Sequence, residues 1–207
     1  AIYLNAPWKQ EFDPANTYPT EFLLADGSTT EVEMMNQYEM SIEMSYQDGI
    51  TVATIPYKGD DLSITVVYPE DPAGLDALVD DLDMDTWNSW KSNLYQTEAS
   101  VGFPKIEMRY KKELNETLID LGMPSAFGGA DFSDINPGLK IDVVIHEAWL
   151  KISEEGTEAA AATGVSMSET SAMMDYVYLN KPFLFAIEDN KSGSILFMGK
   201  ITDPSKL

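Results

Sequence analysis

The side chains with a claim to chemistry are few. The sequence holds one histidine, His146, within Ile145-His146-Glu147-Ala148-Trp149. A histidine works as a general base only beside a nucleophile that it can deprotonate, and a hydrolase with a nucleophile elbow would show G-x-S-x-G. Gly164-Val165-Ser166-Met167-Ser168 carries the first half of that pattern and lacks its closing glycine. His146 therefore reads as a hydrogen-bonded core histidine on a strand. Asp81, Asp83 and Asp85 have the opening spacing of a calcium loop, but Thr86 stands where the turn glycine belongs and Ser92 where the closing glutamate belongs. They read as acids near a helix N-terminus, where carboxylates meet the positive end of the helix dipole. Asn115-Glu116-Thr117 and Asn190-Lys191-Ser192 are formal glycosylation sequons whose use depends on compartment. Without cysteine there is no disulfide, zinc–thiolate or iron–sulfur site, and a single histidine cannot build a histidine-rich metal centre. No catalytic residue, metal or cofactor is expected, and the chain is not read as an enzyme.

Composition narrows the partners. Thirteen basic residues stand against 35 acidic ones, giving a net charge of −22. Such a surface repels nucleic acid and anionic membranes, so neither is an expected partner. No apolar run approaches the length of a membrane span. Hydrophobic residues make up 44% of the chain, which supports a packed core rather than disorder. Trp8, Trp87, Trp90 and Trp149 are expected to pack in that core or against a sheet. Ala1-Ile2-Tyr3-Leu4 reads as a strand entered midway, so any targeting segment would lie upstream.

The elements that would position these residues are mostly strands. Residues 18–24 and 29–35 flank Ala25-Asp26-Gly27-Ser28, a hairpin turn signal, and residues 40–46 and 50–57 flank Gln47-Asp48-Gly49, another. Residues 62–68 form an apolar, β-branched run expected to be a buried strand. The period changes over 75–94, where Leu75, Leu78, Val79 and Leu82 mark a helix face. There, Asp85 or Thr86 is placed to cap a second helix carrying Trp87, Trp90 and Leu94. Strand returns over 97–110 with a break at Pro104. A short helix covers 114–121 before Gly122, and 126–138 reads as loop. A long strand is expected over 140–152, and strands at 176–179, 183–188 and 195–201 finish the chain. With no repeats and no evident linker, residues 1–207 read as one continuous domain piece.

The stretch after residue 152 fits none of these patterns. Glu154-Glu155-Gly156-Thr157-Glu158-Ala159-Ala160-Ala161-Ala162-Thr163-Gly164 continues a long strand yet contains nothing bulky enough to anchor it. Composition alone allows a flexible loop or an alanine helix capped by Thr157. The run resembles the hinge of the serpin reactive loop. Val177-Tyr178-Leu179-Asn180-Lys181-Pro182-Phe183-Leu184-Phe185-Ala186-Ile187 resembles the signature of that family, and Ser194-Ile195-Leu196-Phe197-Met198-Gly199-Lys200 its final strand. Ala1-Ile2-Tyr3-Leu4 through Trp8 and Phe12 resembles a central strand of sheet A and its exit. Met34-Met35, Pro104-Lys105-Ile106, and Leu121-Gly122-Met123 with Ala130-Asp131-Phe132-Ser133 match as well. The resemblance runs in order along essentially the whole chain.

The resemblance implies an α+β, β-rich serpin fold: the C-terminal portion, with parts of sheet A, sheets B and C and a few helices. It requires an N-terminal helical half that this chain lacks, present in the same protein or as a separate chain. It implies a serine protease inhibitor that acts as a suicide substrate through a reactive centre loop at about 154–175. A target protease attacks the loop, and the cut loop inserts as a new strand into sheet A and stalls the acyl-enzyme. The alternative is a non-inhibitory serpin serving as a carrier, chaperone or storage protein. The implied hinge is Glu154, Gly156, Thr157, Glu158, Ala159, Ala160, Ala161, Ala162 and Thr163, with His146 and Trp8 in the regions where sheet A opens. The implied reactive bond joins Thr170 to Ser171, or Ser171 to Ala172 by a second count. A small residue before the cut points to an elastase- or subtilisin-like serine protease as partner. The expected setting is extracellular or periplasmic, with a cytoplasmic one also open.

The residues agree with that mechanism on physical grounds. In a strand, alternate side chains face one side, and the inward set would be Thr157, Ala159, Ala161, Thr163, Val165 and Met167, all uncharged. A charge there would be buried unpaired at a cost of several kcal/mol. No proline interrupts the run, so each residue can donate to a ladder. Roughly a dozen new ladder residues at about 0.5–1.5 kcal/mol net per bond give on the order of 10 kcal/mol, comparable to the stability of a domain. The intact state is then a kinetic trap.

Overall fold

Alternating hydrophobicity punctuated by turn residues makes most of this chain strand. A computed structural model describes residues 4–129, 131–132, 134–136, 139–157 and 174–207. These fall into two compact units, residues 4–106 with 151–207, and residues 107–150.

The larger unit contains, in chain order, β1 (Ala6–Pro7), β2 (Tyr18–Leu23), β3 (Thr29–Gln47), β4 (Ile50–Pro56), β5 (Leu62–Pro69), α1 (Leu75–Asp80), α2 (Met84–Ser92) and β6 (Tyr95–Pro104). The chain then enters β7 (Ile106–Glu113), α3 (Asn115–Asp120), α4 (Pro124–Phe127) and β8 (Ile145–Ser153). It closes with β9 (Gly156–Thr157), β10 (Asp175–Tyr178), β11 (Phe183–Asp189) and β12 (Ile195–Ile201). An eight-stranded sheet runs β10-β6-β3-β4-β5-β11-β12, with β2 paired to the first part of β3. The β10–β6 pair is parallel and the other pairs are antiparallel. Asp48 and Gly49 turn β3 into β4 with φ of 52° and 76°, the positive angles that a two-residue hairpin needs.

Strand β3 is one element of 19 residues, where the polar run Asn36-Gln37-Tyr38-Glu39 read as a gap between two strands. The register against β6 shifts between Gln37 and Met40, and Glu39 takes φ 53°. This bulge absorbs the gap without ending the strand, and Met40, Ile42 and Met44 return to the buried face. The two short helices lie where the period changes. Asp83 caps α2, its carboxylate accepting from Thr86 N at 2.8 Å. Neither Asp85 nor Thr86 is the cap, since the helix already begins at Met84 and Asp85 lies in its first turn. Trp87 and Trp90 of α2 and Leu75 at the start of α1 pack on Val52, Val67, Leu184 and Ala186 from the sheet.

At the edge of that apolar layer sits a buried carboxylate. Glu188 is 2% exposed and accepts hydrogen bonds from Thr65 Oγ1 (2.9 Å), Trp87 Nε1 (3.1 Å) and Lys91 Nζ (2.8 Å). A buried charge is tolerated when it is paired and its lone pairs are filled.

The smaller unit holds β7 from residue 107 and β8 up to Leu150, neighbours in a sheet, with α3 and α4 between them in sequence. The strand expected over 140–152 starts only at Ile145. The backbone before it is engaged elsewhere. Asn115 bridges Asp142 O and Val144 N, both at 2.8 Å, while Leu114 N donates to Val144 O and Ile141 N to Ala126 O. Helix α4 opens on Pro124 and runs into the stretch read as loop. His146 is half-buried rather than core. Within this unit β8 has β7 beside it, and its side chains stay partly open as far as Trp149. No helix among the described residues is long and apolar enough to cross a membrane.

Replacing Lys91 with Ala is expected to leave the buried Glu188 carboxyl without its cationic partner. The loss should be about 2–4 kcal/mol in chemical denaturation of the full-length protein. Lys91→Arg, which keeps the charge, should recover most of it.

Candidate functional site

The strand β9 is only two residues long, and its position is unusual. After Ser153 the chain reverses at Glu154-Glu155 and returns antiparallel to β8, with Ile152 opposite Thr157 and Ser153 opposite Gly156. On its other side β9 pairs antiparallel with β1, Ala6 opposite Thr157 and Pro7 opposite Gly156. Gly156 and Thr157 thus stand between two strands that would otherwise face each other.

Gly156 takes φ +135°, a conformation that L side chains rarely adopt. A Cβ there would meet Ala6 O at 2.4 Å, Pro7 Cα at 2.5 Å and Trp8 N at 2.8 Å. Thr157 is 1% exposed, and its hydroxyl bonds the Tyr57 hydroxyl at 2.8 Å. Tyr57 stacks on Trp8, ring centroids 4.7 Å apart and planes within 4°. Trp8 in turn donates from Nε1 to Ser153 O (2.9 Å) and from its backbone N to Glu155 O (3.0 Å). Burial pushes the Tyr57 phenol well above its usual pKa, with the Thr157 hydrogen bond working the other way. The Tyr57–Thr157 contact is therefore a bond between two neutral hydroxyls.

The turn itself is pinned. Phe12 N donates to Glu154 O at 2.9 Å. The Glu154 carboxylate pairs with Lys105 Nζ at 3.0 Å and accepts from Thr17 Oγ1 at 2.9 Å. Burial alone would raise the Glu154 pKa, but the backbone bond, the Lys105 and Thr17 hydrogen bonds and the Lys105 charge hold it below the usual glutamate value. Lys105 sits between Pro104, the last residue of β6, and Ile106, the first of β7.

Of the residues singled out from sequence, Trp8, Glu154, Gly156 and Thr157 come together here, and His146 lies on β8 within the smaller unit. Glu158, Ala159, Ala160, Ala161, Ala162 and Thr163 of the hinge lie outside the described residues, as do Thr170, Ser171 and Ala172. Sequence reasoning missed Tyr57 and Thr17 as partners. It noted Lys105 only as part of a motif. No spacing rule links residues 100 positions apart, as Tyr57 and Thr157 are.

A two-residue strand is thus seated between β1 and β8, and the small-residue run follows it in sequence. The model of the family described as Serpin (serine protease inhibitor) matches residues 1–204. The chain belongs to the serpin family. An uncharacterized serpin-like protein of Methanosarcina mazei is 35% identical over 99% of this chain and 49% of its own length. Serpin B4 of Homo sapiens is 36% identical over 99% of this chain and 54% of its own. Among solved structures, human thyroxine-binding globulin complexed with thyroxine is 28% identical, with a TM-score of 0.87 over 97% of this chain and 54% of that one. A thermophilic serpin, tengpin, in the native state is 27% identical, with a TM-score of 0.83 over 96% of this chain. The chain spans about half the length of the relatives it matches.

The depressed Glu154 pKa makes the turn of this serpin sensitive to acid. Its stabilisation is complete above the ordinary glutamate pKa and is lost as pH falls through the lower folded value. Glu154→Gln should cost about 1–3 kcal/mol at neutral pH, measured by urea unfolding of the full-length protein. The gap to wild type should shrink as pH falls below the ordinary glutamate pKa and through the lower folded one.

Proposed function

We propose that this chain is the reactive-loop half of an inhibitory serpin, which traps a serine protease when its cut loop inserts between β1 and β8. The observation that carries the reading is the place of Gly156 and Thr157, paired on both sides and antiparallel to both neighbours. Every later residue of an inserting strand would extend the same two ladders. The residues that follow in sequence, Glu158 through Thr163, are small or outward by parity. They ask little room of the sheet.

The target we infer is an elastase- or subtilisin-like protease, since Thr170 or Ser171 precedes the cut and no Arg or Lys lies between Gly156 and Lys181. The protease brings the nucleophile, and the inhibitor brings the free energy of strand insertion. The relatives are about twice as long, which supports an N-terminal half, in the same protein or a separate chain, completing the sheet. Thyroxine-binding globulin is similar in fold, so a carrier role is the competing reading.

The test is incubation of the full-length protein with elastase or subtilisin. Expected are an SDS-stable complex and a large rise in melting temperature after loop cleavage. Thr157→Arg should turn the inhibitor into a substrate, because the guanidinium would be buried without a partner. Cleavage with no complex and an unchanged melting temperature would favour the carrier reading.

A further inference from the structure

On the face of the large sheet that carries α2, the strands change from apolar to polar. Val52 and Val67 pack with Trp87 and Trp90. Two residues along, on the same face, Thr54 lies opposite Thr65. Around Thr54 opens a cavity of about 260 Å³, rimmed by Lys9, Glu43, Asp60, Ser63 and Lys91. An adjoining cavity of about 330 Å³ shares Lys9, Ser41 and Pro56 with it and adds the apolar side chains of Met40 and Ile55.

The hydroxyl hydrogens of this floor are already committed. Thr65 gives its single hydrogen to Glu188 Oε2 at 2.9 Å. The 3.0 Å bond between the Thr54 and Thr65 hydroxyls must then run from Thr54 to Thr65. Ser63 gives its hydrogen to Asn190 Oδ1 at 2.7 Å, and Asn190 Nδ2 donates to Asp60 O at 2.9 Å. Thr54 and Ser63 therefore offer the cavity lone pairs only. Both are buried, and a buried acceptor calls for a donor.

Charge points the same way. Lys9 Nζ is held by both Asp60 oxygens, at 2.7 and 2.9 Å, and Lys91 Nζ by Glu188 at 2.8 Å. Each rim cation thus has its own carboxylate. Glu43 lies directly opposite Thr54 in the β3–β4 register, so the two side chains start about 5 Å apart. It has no ion pair among the described residues. One uncompensated carboxylate therefore stands beside hydroxyls that can only accept. No cluster of titratable side chains among the described residues could hold a metal ion, and the cavity is far wider than a bare ion needs. A primary ammonium supplies what the floor lacks, three N–H donors and a positive charge with no acceptor.

We propose that this cavity binds a small primary alkylammonium. The head donates to Thr54, Ser63 and Glu43, and the hydrocarbon chain lies along Met40 and Ile55. The inhibitory reading does not use this site, and the site does not depend on that reading.

The test is titration calorimetry of the full-length protein with pentylammonium, pentanol and pentanoate, which share a chain and differ in head group. Pentylammonium should saturate a single site and bind about tenfold or more tighter than either of the others. Glu43→Gln, an exposed and nearly isosteric change, should weaken pentylammonium by about tenfold. Glu31→Gln removes the same charge from the β2–β3 hairpin, where Glu31 is also exposed, and should leave the affinity within about twofold of wild type. Absence of saturable binding would overturn the site. Equal binding of pentanol would overturn the ammonium head, and an equal loss in Glu31→Gln would show attraction to the net charge of the chain rather than to this cavity. Each of these results leaves the inhibitory reading untouched.

Discussion

A backbone has to pass between two others at Gly156, and no side chain fits there. With φ +135° and a would-be Cβ 2.4 Å from Ala6 O, any other residue would be strained and would collide with β1. Because this one position is open, Thr157 can follow into the interior and meet Tyr57. Trp8 then closes over the pair through its stack on Tyr57 and its bond to Ser153 O. The turn at Glu154-Glu155, held by Lys105, Thr17 and Phe12, feeds the chain into that gap. The site is a threading point rather than a cavity.

Its two sides differ in kind. The turn is fixed by charge and hydrogen bonds around the largely buried Glu154 carboxylate, and pH acts on it. The gap is lined by Trp8, Tyr57 and backbone, which reward any strand that offers small uncharged side chains and an unbroken run of N–H donors. In the segment 157–163 the inward set Thr157, Ala159, Ala161 and Thr163 is small and uncharged, the charged Glu158 falls outward by parity, and no proline interrupts the run. The same segment is soluble outside the sheet, since it has no large apolar residue to hide. A free-energy difference between two acceptable placements of one segment is what metastability requires.

Much of the frame was legible in the residues. Asp48-Gly49 with flanking alternation led directly to the β3–β4 hairpin, and the β-branched run at 62–68 to β5. The change of period after Leu75 marked α1 and α2. What failed did so because tertiary contacts overrode local pattern. The polar residues 36–39 hid a bulge inside β3. Asn115 took the backbone groups that would have carried β8 back towards residue 140. The Glu188 network and the Tyr57–Thr157 bond join residues about a hundred positions apart, where neither period nor capping rules reach. The family resemblance singled out Glu154, Gly156 and Thr157 in one dimension. The partners of those three residues needed the folded chain.

The most direct measurement is hydrogen–deuterium exchange of a peptide covering residues 156–163, in the full-length protein before and after a protease cuts the loop. Insertion between β1 and β8 would bond these amides on both sides, so their exchange should slow by orders of magnitude once the bond is cut. Exchange that is unchanged or faster after the cut would contradict strand insertion at this site.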